Sequence, residues 1–101
     1  MLIISPAIKA KIAQENHGSV TEREVRECFM AWDGVYAEDP REEHQTQSGL
    51  PTRWFVGESH TGRPLKIMYV EDDENVYLKS AYVATSEVQS LFAHKVRNQG
   101  V

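Results

Sequence analysis

The chain has 101 residues, of which 41% are hydrophobic and 26% charged, and its formal net charge is −4. This length supports one hydrophobic core, so a single domain spanning residues 1–101 is expected. The longest apolar stretches fall far short of the roughly 20 residues that span a bilayer. The single cysteine cannot form an internal disulfide, and no charged start followed by an apolar run appears, so the sequence predicts a cytoplasmic protein without membrane contact.

Two helices are predicted in the first third of the chain. Ser5 can cap a short helix that starts at Pro6 and runs to about residue 17, where Gly18 can adopt the positive φ that stops it. Thr21 and Glu24 have the spacing of a capping box, which predicts the start of a second helix. The apolar residues of that helix recur at steps of three and four: Val25, Cys28, Phe29 and Trp32.

The rest of the chain predicts strands and a last helix. Residues 38–51 are polar and lack any period, so they are expected to form a long loop. Residues 52–58, 65–71 and 76–83 are rich in β-branched and aromatic side chains, and their short connections favour antiparallel neighbours. Thr85 or Ser86 can cap the last helix. The fold class expected is therefore α+β, with N-terminal helices packed on a twisted antiparallel β-meander and a C-terminal helix.

An assumed register assigns the strand residues to two sheet faces. If Thr61 and Gly62 are the two turn residues, Val56 pairs with Ile67, and a turn at Asp73-Glu74 pairs Ile67 with Ser80. One face is then the expected core face: Trp54, Val56, Leu65, Ile67, Tyr69, Leu78 and Tyr82. The opposite face collects cations and aromatic rings: Arg53, Phe55, Gly57, Lys66, Met68, Tyr77, Lys79 and Ala81.

This cationic face predicts either a site or an ordinary solvated surface. A phosphodiester needs cations near its non-bridging oxygens and flat side chains on which bases stack. Solvent-facing lysines and arginines are equally typical of a half-buried antiparallel sheet. His44, in the long loop, is a candidate for proton transfer. The other histidines, at 17, 60 and 94, are interpreted as helix-end, turn and helix-surface residues.

Metal and cofactor sites are not expected from this sequence. The four histidines lack the spacing of a zinc motif, and no second cysteine accompanies Cys28. Cys28 itself lies on the apolar stripe of the second helix, which predicts burial in the core. The acidic run at residues 71–75 lacks the glycine and the spaced ligands of a calcium loop.

Several short motifs together resemble the BrnT-like branch of the RelE toxin superfamily. They are the capped helix at residues 20–32, Asp39-Pro40-Arg41, the run from Arg53 to Gly57, the run from Gly62 to Ile67, and residues 76–82. The chain is also similar to short proteins labelled ADP-ribosyl-(dinitrogen reductase) hydrolase. The toxin resemblance implies a metal-independent ribonuclease neutralised by a cognate antitoxin, with Arg53 and Arg63 matching the arginines that flank the first hairpin. Tyr82 stands where that family commonly has an arginine.

Two functional hypotheses follow from these residues. In the first, Arg53, Lys66 and Lys79 hold the phosphate of an RNA substrate, and His44 or Tyr77 transfers a proton; Arg63 joins them through the resemblance. In the second, a non-catalytic module binds a partner protein through the same face. The acidic balance of the chain suits the second hypothesis better. No DNA binding by this chain alone is expected.

The position of the C-terminal helix is open between two packings. We expect it to cover the core face of the sheet, beside the first two helices. The alternative is that it folds over the cationic face and masks it.

Overall fold

The fold is built on a five-stranded β-sheet. The structure, a computed structural model, describes residues 1–39 and 49–99. Within these ranges the strands and helices follow the chain as β1 (Leu2–Ile3), α1 (Pro6–Ile12), a 3₁₀ turn (Glu15–His17), α2 (Glu22–Ala31), β2 (Ala37–Asp39), β3 (Thr52–Glu58), β4 (Pro64–Glu71), β5 (Val76–Val83) and α3 (Ser86–Gln99). The α+β class is confirmed, and so are the three predicted long strands. Residues 40–48, which include most of the predicted loop, lie outside the described part.

The sheet is mixed, whereas a purely antiparallel meander was expected. The strand order is β1-β5-β4-β3-β2, in which β3, β4 and β5 form the predicted antiparallel meander. At one edge β1 pairs parallel with β5, and at the other edge β2 pairs antiparallel with β3. No strand was predicted at residues 2–3, because nothing local marks a two-residue strand whose partner is more than seventy residues away.

The two N-terminal helices begin as predicted. Ser5 Oγ accepts the backbone N–H of Ile8 at 3.2 Å, and the capping box of Thr21 with Glu24 is formed. The first helix ends at Ile12, before the predicted residue 17, because the chain tightens there into the 3₁₀ turn. Gly18 follows with φ of 93°, a conformation that side chains rarely tolerate.

The core lies between these helices and one face of the sheet, which we call the first face. Its buried side chains are Phe55, Leu65, Ile67, Tyr69, Leu78 and Ala81, packed against Ile12, Val20, Val25 and Cys28. The predicted burial of Cys28 is confirmed, since its side chain is 1% exposed. Burial, reinforced by neighbouring carboxylates, raises the pKa of its thiol to about 11. Such a thiol is a core residue and a poor nucleophile at neutral pH.

The register expected for β3 and β4 was wrong by one residue. Ser59 N–H donates to the Arg63 carbonyl at 3.0 Å and Gly62 N–H to the Ser59 carbonyl at 2.9 Å. The hairpin therefore has a three-residue loop at 60–62, with Gly62 at φ of 83°, instead of the assumed two-residue turn. Val56 now pairs with Lys66. Because side chains alternate along a strand, this slip moves every β3 side chain to the other face.

The register of β4 with β5 was correct near the turn and wrong beyond a bulge. Tyr69 pairs with Leu78 as assumed, but Ile67 pairs with Ala81 and not with Ser80. The register shifts between Met68 and Tyr69, which leaves Lys79 without a partner in β4. The opposite, second face consequently carries Trp54, Val56, Lys66, Met68, Val70, Tyr77, Ser80 and Tyr82.

The C-terminal helix packs elsewhere than expected. Helix α3 contacts β2 and β3, and the ring of Phe92 lies 5.5 Å from that of Trp54 on the second face. Phe92 also packs against the core cluster. Helix α3 therefore lies at the edge of the sheet where β3 continues past its last pair with β2. The sequence prediction placed α3 over the core face, whereas Trp54, against which Phe92 packs, lies on the second face because of the β3–β4 register.

Replacing Gly18 with alanine should destabilise the fold more than the same change at Gly34. Both glycines have positive φ, but a Cβ at Gly18 would overlap the Val83 side chain, whereas a Cβ at Gly34 meets nothing within 4 Å. We expect a loss of about 1 kcal/mol for Gly34→Ala from backbone strain and of roughly 2 kcal/mol for Gly18→Ala, where the partly exposed Val83 side chain must also shift to relieve the overlap. Urea unfolding measures both. Equal losses would show that Val83 is not packed on Gly18.

Replacing Tyr69 with phenylalanine should leave the fold equally or more stable. The Tyr69 hydroxyl is buried without a hydrogen-bond partner among the described residues, and burial raises the pKa of this phenol. Removing an unsatisfied buried hydroxyl is expected to raise the free energy of unfolding by up to about 1 kcal/mol. A clear loss of stability on urea unfolding would contradict this and would reveal a partner for the hydroxyl.

Candidate functional site

The candidate site is the side chain of Lys66 on the second face, held between two aromatic rings. Its Nζ lies 4.5 Å from the centre of the Trp54 ring and 5.6 Å from that of Tyr82. Lys66 and Tyr82 are half-buried, and Trp54 is buried. A cation over aromatic faces is attracted to their negative quadrupoles, so the rings hold the ammonium group in place.

Strand register and the β5 bulge together build this arrangement. Lys66 pairs with Val56 on one side and with Tyr82 on the other, and Trp54 is the diagonal neighbour two residues along β3. The assumed register had placed Trp54 and Tyr82 on the face opposite to Lys66. The signal that could have found the grouping is the glycine at the third position of the His60-Thr61-Gly62 loop, which is typical of a three-residue hairpin.

Arg53 is not on the same face as Lys66, in contrast to the prediction. It pairs with Tyr69 across the sheet and therefore belongs to the first face. Its guanidinium binds Glu71 at 3.0 Å, lies 3.9 Å from Glu38, and covers the Tyr36 ring at 4.3 Å from the centre. Two carboxylates already neutralise this arginine, so the predicted cluster of three cations is not assembled.

Arg63 is bound within the fold. One terminal nitrogen donates to the carbonyl of Gly18, and the other lies 3.2 Å from the carboxylate of Glu24. The guanidinium thus joins the β3–β4 hairpin to the N-terminal turn of α2. Its contacts are those of a residue that fixes tertiary structure.

The other predicted site residues are dispersed. The Tyr77 hydroxyl donates to Asp72 Oδ2 at 3.0 Å and so helps to hold the β4–β5 turn. Lys79 is exposed at the bulge. Both line an open groove of about 620 Å³ at the β1–β5 edge, together with apolar residues that include Ile3, Ile8 and Val70. His44 lies outside the described residues.

A second set of contacts, missed by the sequence reasoning, links α2 to the same hairpin. Glu27 accepts the backbone N–H of His60 at 3.0 Å, and its other oxygen lies 3.2 Å from the His60 ring and 3.3 Å from Arg23. The hydrogen bond from the His60 backbone, with the nearby positive charges, lowers the pKa of the Glu27 carboxyl. Only the tertiary fold brings these residues together, since they are 33 positions apart.

Comparisons with known proteins leave the family open: no family model, no curated protein and no solved structure matches the chain. Among the residues that the structure describes, no group of three or more histidine, cysteine or acidic side chains could hold a metal ion. No helix in the same ranges has the length and apolar character needed to cross a membrane.

Glu27 should make the stability of the domain depend on acid pH. Its pKa in the folded state is lowered from the ordinary 4.5, so its contribution is fully present above that value and is lost as the pH falls through the lowered one. Glu27→Gln should therefore reduce the free energy of unfolding at pH 7 and have a smaller effect at pH 3. Urea unfolding at both pH values measures this, with Glu87→Gln on α3 as the control. An equal loss at both would contradict the proposed ionic contribution.

Proposed function

We propose that this domain is a non-catalytic binding module, in which the second face of the sheet binds an acidic segment of a partner protein. Lys66 is the central contact, and the rings of Trp54 and Tyr82 hold its ammonium group towards the ligand. The observation that carries the proposal is the separation of the cations. Arg53 and Arg63 are bound to carboxylates of the fold. Lys66 is therefore surrounded by aromatic rings, and neither of these two arginines lies beside it to help bind a phosphate.

Charge balance favours a protein ligand over a nucleic acid. The chain carries a formal net charge of −4, and a polyanion such as RNA is bound mainly by neutralising several phosphates at once. One lysine between two rings suits a single carboxylate, whose charge-assisted hydrogen bond to an ammonium group is stronger than a neutral one.

The groove at the β1–β5 edge offers apolar contacts to the same kind of ligand. Its lining is mainly aliphatic, and Lys79 stands at it as an exposed cation. Interfaces commonly combine apolar anchors with a polar rim. A partner segment with alternating acidic and apolar residues would match both features.

The second candidate is the metal-independent endoribonuclease neutralised by a cognate antitoxin, which the resemblance to BrnT-like toxins implies. The order of elements favours it: two N-terminal helices precede an antiparallel meander, and a helix follows. Lys66 would then contact a phosphate, and Trp54 or Tyr82 would stack on a base. A cognate antitoxin is the partner under this proposal.

Replacing Lys66 with glutamine should weaken binding of an acidic peptide. We expect a labelled peptide of alternating glutamate and leucine to bind the wild-type protein at low salt. Lys66→Gln should lose about tenfold in affinity, since one charge-assisted contact is worth on the order of 1.5 kcal/mol. Fluorescence anisotropy measures the dissociation constants, and Lys11→Gln, on the exposed surface of α1, is the matched control.

The two candidates predict different results with RNA. The binding module should bind oligouridylate more weakly than the peptide and leave RNA intact, and its overexpression in bacteria should be harmless. RNA cleavage that is lost in Lys66→Gln and kept in Lys11→Gln would overturn the binding proposal in favour of the ribonuclease. Equal peptide affinities for the two variants would show that Lys66 does not contribute to peptide binding.

A further inference from the structure

His17 lies beside the candidate site with a fixed ring orientation. Its Nδ1 is 3.0 Å from the carbonyl oxygen of Ala81 in β5. A carbonyl can only accept a hydrogen bond, so Nδ1 carries the proton and donates. In the neutral ring Nε2 is then an acceptor, and none of the described residues hydrogen-bonds it. Protonation at Nε2 can add a positive charge without disturbing the contact with Ala81.

The ring of Tyr82 connects His17 to Lys66. The His17 and Tyr82 ring centres are 6.1 Å apart with their planes at 77°, and Lys66 Nζ is 5.6 Å from the centre of the same Tyr82 ring. His17 is half-buried. A ligand that lies over the Tyr82 ring can therefore contact both the ammonium group of Lys66 and the imidazole of His17.

The titratable and charged groups around His17 come from four parts of the chain. Tyr82 faces it from β5, and Lys66 lies beyond that ring on β4. Arg63, which follows the β3–β4 loop, donates to the carbonyl of Gly18, the residue after His17. Glu15 belongs to the same 3₁₀ turn. Arg63 is already paired with the carboxylate of Glu24, so Lys66 is the cation to which a protonated His17 would add, and an acidic ligand can neutralise both charges.

We infer that His17 is a second contact for the acidic segment bound at Lys66, and that its protonation strengthens this binding as the pH falls. The inference rests on the proposed function, because it names a further residue and a form of regulation for the same face. The ligand carboxylate accepts a hydrogen bond from protonated Nε2, while Nδ1 remains bound to Ala81. Imidazoles change charge between about pH 5 and 8, where glutamates stay ionised.

The test measures affinity for the glutamate-leucine peptide between pH 8 and pH 5.5. Wild-type protein should bind about threefold to fivefold more tightly at pH 5.5, as expected for one partly exposed ion pair. His17→Asn keeps a side-chain N–H for the Ala81 carbonyl and cannot gain the charge. It should match the wild type at pH 8 and show no increase at pH 5.5. His94→Asn, on exposed α3, should behave as wild type.

A second measurement uses the wild-type protein alone and does not depend on folding of the variant. Nuclear magnetic resonance follows the His17 Cε1–H signal through a pH titration, with and without the peptide. Because linkage is reciprocal, bound peptide should move the midpoint of the His17 titration to higher pH. An unmoved midpoint, or an equal pH dependence in wild type and His17→Asn, would overturn the inference while Lys66-dependent binding still supports the proposed function. Absence of peptide binding at every pH would overturn both.

Discussion

The three-residue loop between β3 and β4 is the constraint on which the arrangement of this domain depends. Ser59 and Arg63 close the hairpin with a backbone hydrogen bond, and Gly62 supplies the positive φ that the loop needs. Because side chains alternate with a period of two, the loop length decides which face each β3 residue occupies. It buries Phe55 under the helices and places Trp54 beside Lys66.

Helix α2 holds this hairpin through two carboxylates. Glu24 binds the Arg63 side chain and Glu27 binds the backbone and ring of His60. Gly57 lets the helix approach, since a Cβ there would lie 3.2 Å from Cys28 Cβ. The arginine that motif comparison suggested for chemistry is thereby used to join helix and hairpin. What remains on the second face is a lysine held by aromatic rings, the contact on which the proposed binding function rests.

Local sequence signals predicted the parts of the fold that local interactions form. The capping box of Thr21 with Glu24, the burial of Cys28 and the turn at Asp73-Glu74 depend on residues a few positions apart. The parallel pairing of β1 with β5 and the bulge at Lys79 depend on distant partners, so no local pattern marks them. For the site, the sequence predicted Lys66 on a face with other cations and aromatic rings, and the structure places it beside Trp54 and Tyr82 without Arg53. Its neighbours were predicted wrongly, because an error of one residue in the loop length puts Phe55 on the face of Lys66 in place of Trp54.

The central claim is the register that groups Lys66 with Trp54 and Tyr82, and nuclear magnetic resonance can test it directly. Since Ser59 and Arg63 form a hydrogen-bonded pair, Val56 with Lys66 and Trp54 with Met68 are non-hydrogen-bonded pairs, whose Cα atoms are about 4.5 Å apart. Strong nuclear Overhauser effects should therefore connect the Hα atoms of Val56 and Lys66, and those of Trp54 and Met68. Strong effects from Val56 to Ile67 and from Trp54 to Tyr69 would contradict the account, because they would return Trp54 to the core face and separate it from Lys66.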